Sequence, residues 1–283
     1  MNILVAVLLG IIQGITEFLP ISSTAHLTLS GKIFGLIDAS HPEAWTEFIA
    51  VMQLGTLGAV LLFFRKDIIA MITALLHDVM SRGEGRGFAG YSAHSRMALL
   101  IALGTIPVAI IGLAFRHTIE GTLTKTTFVI AGSLILLALL LWIAEKVAKH
   151  TRSIEKVGWR DALVIGFAQA LALIPGSSRS GATITAGLFL GLSREAAARF
   201  SFLLSIPAVF ASGIYEMSKI HGVTGLGIGN LAIATVVSGI AGYACIAWLL
   251  RYLMKNTTMV FVWYRIILGV VLTILVLNGF FLA

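Results

Sequence analysis

Nine apolar stretches divide this chain, and six of them are long enough to cross a membrane, since a spanning helix needs about 20 apolar residues. Of the 283 residues, 58% are hydrophobic and only 12% are charged, whereas a soluble domain carries roughly a quarter charged residues. Because the alternating segments of an outer-membrane barrel do not occur, we predict an all-α polytopic membrane protein. The stretches run approximately over 3–19, 45–64, 97–115, 127–144, 162–174, 181–192, 200–217, 229–250 and 260–282.

Two proline-containing, hydroxyl-rich segments interrupt this apolar sequence. The first runs from Gln13 to His26 and the second from Gln169 to Thr183, and each is flanked by apolar runs that differ from the six long ones. Irregular backbone at membrane depth is tolerated only where it is buried in protein or lines a wet cavity. We therefore predict six transmembrane helices plus two re-entrant helical hairpins.

The two interruptions share a Gln followed by a Pro-x-Ser-Ser pattern, about 155 residues apart. With six spans and two hairpins, most Lys and Arg residues fall on one side, which the positive-inside rule identifies as the cytoplasm. The hairpins then enter from opposite sides, as in the inverted-topology repeats of transporters. We predict one transmembrane domain over 1–283, with repeat halves of approximately 1–150 and 155–283. The opposite side keeps Lys32, Arg116, Lys125 and Lys219.

The hairpin tips combine a helix break with a helix start. Pro20 disfavours helix at the residue before it, and the following Ser22, Ser23 and Thr24 are good N-cap residues for a second half-helix. The sequence after Pro175 repeats this arrangement. A helix N-terminus carries free N–H groups and the positive end of a dipole, so two such ends are predicted to bind a phosphate.

Three charged or ionisable side chains accompany the tips, where their burial is costly and indicates a function. Glu17 is predicted to act as a general base or to bind a divalent cation, and His26 suits proton transfer near neutral pH. Arg179 suits bidentate recognition of phosphate oxygens. The structural alternative is a Glu17–Arg179 salt bridge that joins the hairpins without any chemistry.

Other polar residues of the two segments are secondary candidates. Gln13 precedes Glu17 by four residues and shares its helix face, so it is a supporting residue together with Ser177. Ser23 is a candidate nucleophile. The predicted phosphate-binding residues, besides Arg179, are Ser22, Thr24, Ser178, Ser180 and Thr183.

Several classes of site are excluded or assigned a structural role. The net charge of +7 comes from residues scattered in hydrophilic gaps, so nucleic-acid binding is not expected. A lone Cys245 permits no disulfide framework or cysteine-based metal site. Arg265, which follows Trp263 and Tyr264, is interpreted as an interfacial anchor.

The segments 14–26 and 175–183, with Arg199 to Pro207, resemble the undecaprenyl-pyrophosphate phosphatase family, the bacterial bacitracin-resistance membrane phosphatases. The resemblance covers essentially the whole chain. It implies a cytoplasmic-membrane enzyme that removes the terminal phosphate of a C55 polyprenyl diphosphate and so regenerates the lipid carrier for cell-wall synthesis. It also implies an active site open to the periplasm and a divalent cation such as Mg or Ca.

The family's acidic motif has Glu or Gln, three residues, then Glu, and here these positions are Gln13 and Glu17. The resemblance implies that Glu17 holds the cation largely alone. It places essential positions of the second motif at Ser178, Arg179 and Thr183. The attacking group is either Ser23, with His26 managing a proton, or a water activated by Glu17 and His26.

Two rival functions stay open at this stage. A polyprenyl-phosphate flippase or a secondary transporter would use the same broken helices and the same anion site. A phosphatidic-acid-type phosphatase shares the Ser178-Arg179 pair but places a nucleophilic His a few residues later, and Ser180 to Ser193 contains no His. The oligomeric state, a homo-oligomer included, is also left open.

Overall fold

The computed structural model describes residues 1–37, 42–81, 90–115, 126–218 and 227–280. The regular elements of these residues are eleven α-helices and two short 3₁₀ helices, Ile154–Lys156 and Leu171–Leu173. The positions Arg116, Lys125 and Lys219 of the charge argument lie outside the described residues. The helices are α1 (Ile3–Phe18), α2 (Ser23–Ile33), α3 (Pro42–Phe63), α4 (Arg65–Met80), α5 (Ala93–Ala114), α6 (Thr127–Val147), α7 (Trp159–Ala170), α8 (Arg179–Phe189), α9 (Arg194–Ser218), α10 (Ile228–Lys255) and α11 (Met259–Leu277).

Six of these helices are long and apolar enough to cross a membrane, and they confirm the six predicted spans. They are α3, α5, α6, α9, α10 and α11, with 19 to 28 residues in the apolar part of each. At a rise of about 1.5 Å per residue, such lengths match a hydrocarbon core roughly 30 Å thick. The chain is therefore an all-α, multi-pass membrane protein.

The sequence did not predict α4, which occupies a stretch interpreted as a hydrophilic gap. Its apolar side chains are mostly exposed, and Met71 is its one buried residue. The end of α4 is tied to the start of α5, because Asp78 accepts hydrogen bonds from the Ser95 hydroxyl at 2.6 Å and the Ser92 amide at 2.8 Å. These hydrogen bonds, that of Ser95 first, hold the pKa of Asp78 far below its usual range.

Two hairpins of short helices, α1–α2 and α7–α8, correspond to the two predicted helix breaks. In each, the second helix begins after a serine with positive φ, which is unusual for a residue with a Cβ. Ser22 has φ 74° and ψ 98°, and Ser178 has φ 67° and ψ 111°. Their hydroxyls accept hydrogen bonds from the amides of Ala25 and Gly181. The two tips therefore share one backbone geometry, while the division into repeat halves stays a prediction.

The first arm of each hairpin packs closely on a spanning helix from the opposite part of the chain. On α1, a Cβ added at Gly14 would lie 2.6 Å from the Ser238 carbonyl oxygen of α10. On α7, a Cβ added at Gly166 would lie 2.2 Å from the carbonyl oxygen of Gly104 on α5. Small residues at such crossings let helix backbones approach closely. These two crossings fix the arms that carry the tips.

Away from the tips, partly buried ion pairs anchor the base of the second hairpin. Glu145, at the end of α6, forms a salt bridge with Arg194 and accepts a hydrogen bond from the Thr258 hydroxyl at 2.8 Å. Arg152 pairs with Asp161 at 2.6 Å and donates to the Leu190 carbonyl at the end of α8. The segment before α7 is thus held against both arms of the hairpin.

Candidate active site

The structure brings Glu17 and Arg179, one from each hairpin, into direct contact. Glu17 is 7% exposed, and its Oε1 accepts a hydrogen bond from Arg179 Nη2 at 2.9 Å. Its Oε2 accepts hydrogen bonds from Ser23 Oγ at 2.7 Å and from Gln13 Nε2 at 3.1 Å. Four residues that the sequence singled out therefore form one buried cluster across the two tips.

Two polar atoms of this cluster, and one of the neighbouring Ser177, are buried without a protein partner. Arg179 Nη1, Gln13 Oε1 and Ser177 Oγ have no hydrogen-bond partner among the described residues. A buried polar atom left unpaired costs about 1–3 kcal/mol. The salt bridge that the sequence allowed as a purely structural alternative does form, and it leaves one guanidinium nitrogen without a hydrogen-bond partner among the described residues.

His26 lies one turn into α2, and its imidazole hydrogen-bonds to groups other than the Ser23 hydroxyl. Its Nδ1 lies 2.7 Å from the Ser22 carbonyl oxygen, and its Nε2 lies 2.6 Å from the hydroxyl of Tyr264 on α11. The hydroxyl hydrogen of Ser23 is instead directed at Glu17. The structure thus separates two pairs, Ser23 with Glu17 and His26 with Tyr264.

The other predicted hydroxyls mostly hold the tips in place. Ser22 and Ser178 cap their helices, as described above, and Ser180 donates to the Leu19 carbonyl oxygen at 3.0 Å, which joins the two hairpins. Thr183 is fully buried and hydrogen-bonds to Ser201 on α9 at 2.6 Å. Thr24 is half-buried in the first turn of α2.

The interpretation of Arg265 as an interfacial anchor was wrong. Its side chain is fully buried and donates to five backbone carbonyl oxygens, two of them in the second tip and one in the first. The Trp263-Tyr264-Arg265 triplet is typical of the membrane–water interface. The arginine nevertheless points between the hairpins, where backbone carbonyl oxygens that lack a helical partner need donors. The acceptors are Pro20, Ser133, Leu134, Gly176 and Ser177, at 2.9 to 3.4 Å.

Arg265 and Tyr264 are the site residues that the sequence argument missed. One signal for Arg265 was available, since it is an arginine within the 19-residue apolar span of α11. A charge at that depth is expected to face the bundle interior and to pair with other groups or with carbonyls. Tyr264 gave no such signal.

The atoms at the tips that could coordinate a hard cation are one carboxylate and one amide oxygen, not a group of several ionisable side chains. Within the described part of the chain, no three His, Cys, Asp or Glu side chains lie together. Glu17 supplies a carboxylate, and the buried, unpartnered Gln13 Oε1 supplies an amide oxygen. Mg²⁺ and Ca²⁺ prefer such oxygen ligands, and Mg²⁺ usually takes one or two carboxylates plus phosphate oxygens and waters. The donor set therefore fits either ion.

The fold and the site together define a multi-pass membrane protein with a polar cluster where two helical hairpins meet. The family model described as "Bacitracin resistance protein BacA" matches residues 6–271, and the chain belongs to this family. It is 53% identical over 271 residues to the undecaprenyl-diphosphatase of Syntrophobacter fumaroxidans, covering 95% of each chain. It is 49% identical to the undecaprenyl-diphosphatase of Chloroherpeton thalassium, covering 99% of this chain and 98% of that one.

Proposed function

We propose that the protein hydrolyses the terminal phosphate of undecaprenyl diphosphate, releasing undecaprenyl phosphate and inorganic phosphate. The product is the lipid carrier that cell-wall peptidoglycan synthesis uses again. The observation that carries this proposal is the hydrogen bond of 2.7 Å from Ser23 Oγ to Glu17 Oε2, with Arg179 on the same carboxylate. The names of relatives about half identical to this chain support the choice of substrate.

The contact between Ser23 and Glu17 favours serine as the nucleophile over a water. A hydroxyl becomes nucleophilic when an adjacent base accepts its proton, and Glu17 Oε2 stands at hydrogen-bond distance. Ser23 Oγ attacks the terminal phosphorus, its proton passes to Glu17, and the bond to the bridging oxygen breaks. A water then attacks the phosphorus of the phosphoseryl intermediate, Glu17 returns its proton to Ser23 Oγ as the bond to that oxygen breaks, and inorganic phosphate is released.

Arg179 and the half-helix starts bind the negative charge. The unpartnered Nη1 of Arg179 donates to a phosphate oxygen, and an anionic diphosphate competes with Glu17 for the rest of the guanidinium. The first-turn amides of α2 and α8 add N–H donors at the positive ends of two helix dipoles. Such donors act on the charge that develops in the transition state.

Glu17 and Gln13 would hold the divalent cation, Mg or Ca. When bound, the cation neutralises phosphate charge. The single carboxylate limits how strongly the protein alone retains it, which is consistent with a cation that arrives with the diphosphate.

The site lies in the bacterial cytoplasmic membrane, open to the periplasm. The concentration of Lys and Arg in gaps on one predicted side supports the assignment of the cytoplasmic side, and the periplasmic opening follows the family resemblance. A homo-oligomer is compatible with the exposed apolar helices, and cross-linking in native membranes tests it.

The decisive experiment measures phosphate release from undecaprenyl diphosphate by detergent-purified protein, with Mg, with Ca and with EDTA. Wild-type protein, Glu17→Ala, Arg179→Ala and the surface control Arg251→Ala are compared. We expect cation-dependent release by wild type and the control, and no release by the two site variants. A folded wild type that releases no phosphate contradicts the proposal and directs attention to lipid flipping.

A further inference from the structure

We propose that Tyr264 relays protons to and from His26, so that its phenol oxygen is the atom that meets the reacting group. This inference rests on the proposed phosphatase function and assigns a residue that neither tip segment contains. It follows from the partners of the two imidazole nitrogens and from the position of α11.

The first imidazole nitrogen is committed to the backbone. Nδ1 of His26 lies 2.7 Å from the carbonyl oxygen of Ser22. A carbonyl oxygen only accepts hydrogen bonds, so Nδ1 carries the hydrogen in both the neutral and the charged imidazole. The carbonyl has no hydrogen of its own to pass on, and this side of the ring is therefore closed to proton transfer.

The second nitrogen is committed to Tyr264. Nε2 lies 2.6 Å from the Tyr264 hydroxyl, and the two ring planes differ by 9°. A phenol hydroxyl both donates and accepts, so it donates to the neutral imidazole and accepts from the imidazolium. With both nitrogens engaged, the route for a proton to His26 within the described residues runs through the oxygen of Tyr264.

The position of this phenol is fixed by its neighbour in the sequence. Arg265, the next residue of α11, is fully buried and donates to Pro20 of the first tip and Ser177 of the second. The helix therefore cannot slide along the hairpins without breaking these hydrogen bonds. Tyr264 itself is 43% exposed, so its hydroxyl is held against His26 while the residue remains open to the surroundings.

The two hydrogen-bonded pairs of the site, Ser23 with Glu17 and His26 with Tyr264, then serve different steps of the reaction. Ser23 gives its proton to Glu17, as proposed above, and the neutral imidazole of His26 serves the water that hydrolyses the phosphoseryl intermediate. As this water attacks the phosphorus, it gives a proton to the phenol oxygen of Tyr264, and the hydroxyl hydrogen of Tyr264 passes to Nε2 of His26. Glu17 returns its proton to Ser23 Oγ as the phosphorus–oxygen bond to the serine breaks. The imidazolium then loses its added proton to solvent through the same phenol oxygen, which leaves a neutral imidazole and an unchanged tyrosine.

The test is a double-mutant cycle with Tyr264→Phe and His26→Ala, measured as kcat and KM for phosphate release. Because general acid–base catalysis contributes about 10²–10⁴-fold, we expect Tyr264→Phe to lower kcat by at least about tenfold. We expect KM to change by less than about twofold, since phenylalanine keeps the ring. In the His26→Ala background, Tyr264→Phe should cost nothing further, because residues that act as a unit are not additive.

The matched control is Tyr243→Phe, which removes a hydroxyl from a tyrosine that packs on Phe63 of α3 and leaves the tips untouched. It should keep wild-type kcat. An unchanged or higher kcat in Tyr264→Phe would show that His26 meets the substrate directly, and an equal loss in both backgrounds would show a structural role. Either result overturns the relay.

The failure of the phosphatase proposal is separable from the failure of the relay. If wild-type protein releases no phosphate, the enzyme proposal fails by itself. The ¹⁵N spectrum of histidine-labelled protein then tests the contact alone, with the His26 signals assigned by their loss in His26→Ala. We expect Tyr264→Phe to shift the Nε2 resonance of His26, while an unchanged resonance contradicts the hydrogen bond.

Discussion

Arg179 Nη2 lies 2.9 Å from Glu17 Oε1, and the two residues stand 162 positions apart in the chain. The contact joins the end of α1 to the start of α8, so it bridges the two hairpins at their tips. Arg179 is 13% and Glu17 6% exposed at the side chain, which makes this a largely desolvated pair. Ser23 and Gln13 also donate hydrogen bonds to the Glu17 carboxylate, so the ion pair is part of a larger polar cluster.

Exchanging the charges of Glu17 and Arg179 distinguishes a structural role of this ion pair from a catalytic one. Breaking a buried ion pair costs about 3–5 kcal/mol, so Glu17→Arg and Arg179→Glu should each lower the unfolding temperature. The double variant should recover part of that temperature but release no phosphate, because the carboxylate no longer faces Ser23. Thermal unfolding and phosphate release are measured side by side. Recovery of activity in the double variant would mean that the pair is purely structural.

The nucleophile is tested by Ser23→Ala, which removes the hydroxyl that donates to Glu17. We expect a loss of at least about 10³-fold in kcat, since the covalent route is closed. Substrate labelled with ³²P at the terminal phosphate should leave label on rapidly quenched wild-type protein and none on the variant. Ser30→Ala, which removes a hydroxyl later in the same helix, is the matched control. Full activity in Ser23→Ala would assign the attack to a water.

The cation is tested by Gln13→Glu, which adds a carboxylate one helical turn from Glu17. Since ligand charge tunes the affinity of oxygen sites for hard cations, the variant should need about tenfold less Mg or Ca for half-maximal activity. Gln13→Leu should need more. Titration of phosphate release with each cation gives both values. An identical cation requirement in all three proteins would place the ion elsewhere.

Arg265 is expected to be the least replaceable side chain of α11. Arg265→Lys retains the charge but offers three donors where five carbonyl oxygens need them, and each buried acceptor left unpaired costs about 1–3 kcal/mol. We expect a lower unfolding temperature and strongly reduced activity. Arg251→Lys, at an exposed position of α10, should behave as wild type. Wild-type stability of Arg265→Lys would contradict the role of these hydrogen bonds.

The serines with positive φ give a prediction about backbone strain. Ser22→Ala loses the cap of α2 and keeps a strained backbone, so it should destabilise the protein by about 1 kcal/mol or more. Ser22→Gly also loses the hydroxyl but relaxes the backbone, and it should be less destabilising. The same order is expected for Ser178 in the second tip. Chemical unfolding of the four variants checks the order, and a glycine variant no more stable than the matching alanine variant would contradict the strain at that position.

The sequence predicted the parts of the molecule that local chemistry determines. The six spans follow from the length of their apolar runs, and the tips follow from Pro20, Pro175 and the serines after them. The contact between Glu17 and Arg179 could be anticipated because a buried charge needs a partner. These features depend on residues within a short stretch or on a strong energetic requirement.

The features that the sequence did not predict depend on distant contacts. Tyr264 faces His26 across 238 positions, and nothing near Tyr264 in the sequence indicates a histidine. Arg265 sits in a triplet typical of a membrane interface, and only the orphan carbonyls of the tips explain its burial. The pairing of Ser23 with Glu17 rather than with His26 depends on where α1 ends relative to α2.

The carbonyl contacts of Arg265 also carry a consequence for biogenesis. α11 is the last helix of the described chain, and its arginine supplies the hydrogen bonds that hold Pro20 and Ser177 together. A nascent chain inserted helix by helix would hold both hairpins before this guanidinium arrives. The site between the tips then closes only once α11 has been inserted, so a chain that still lacks α11 would be inert towards the lipids around it.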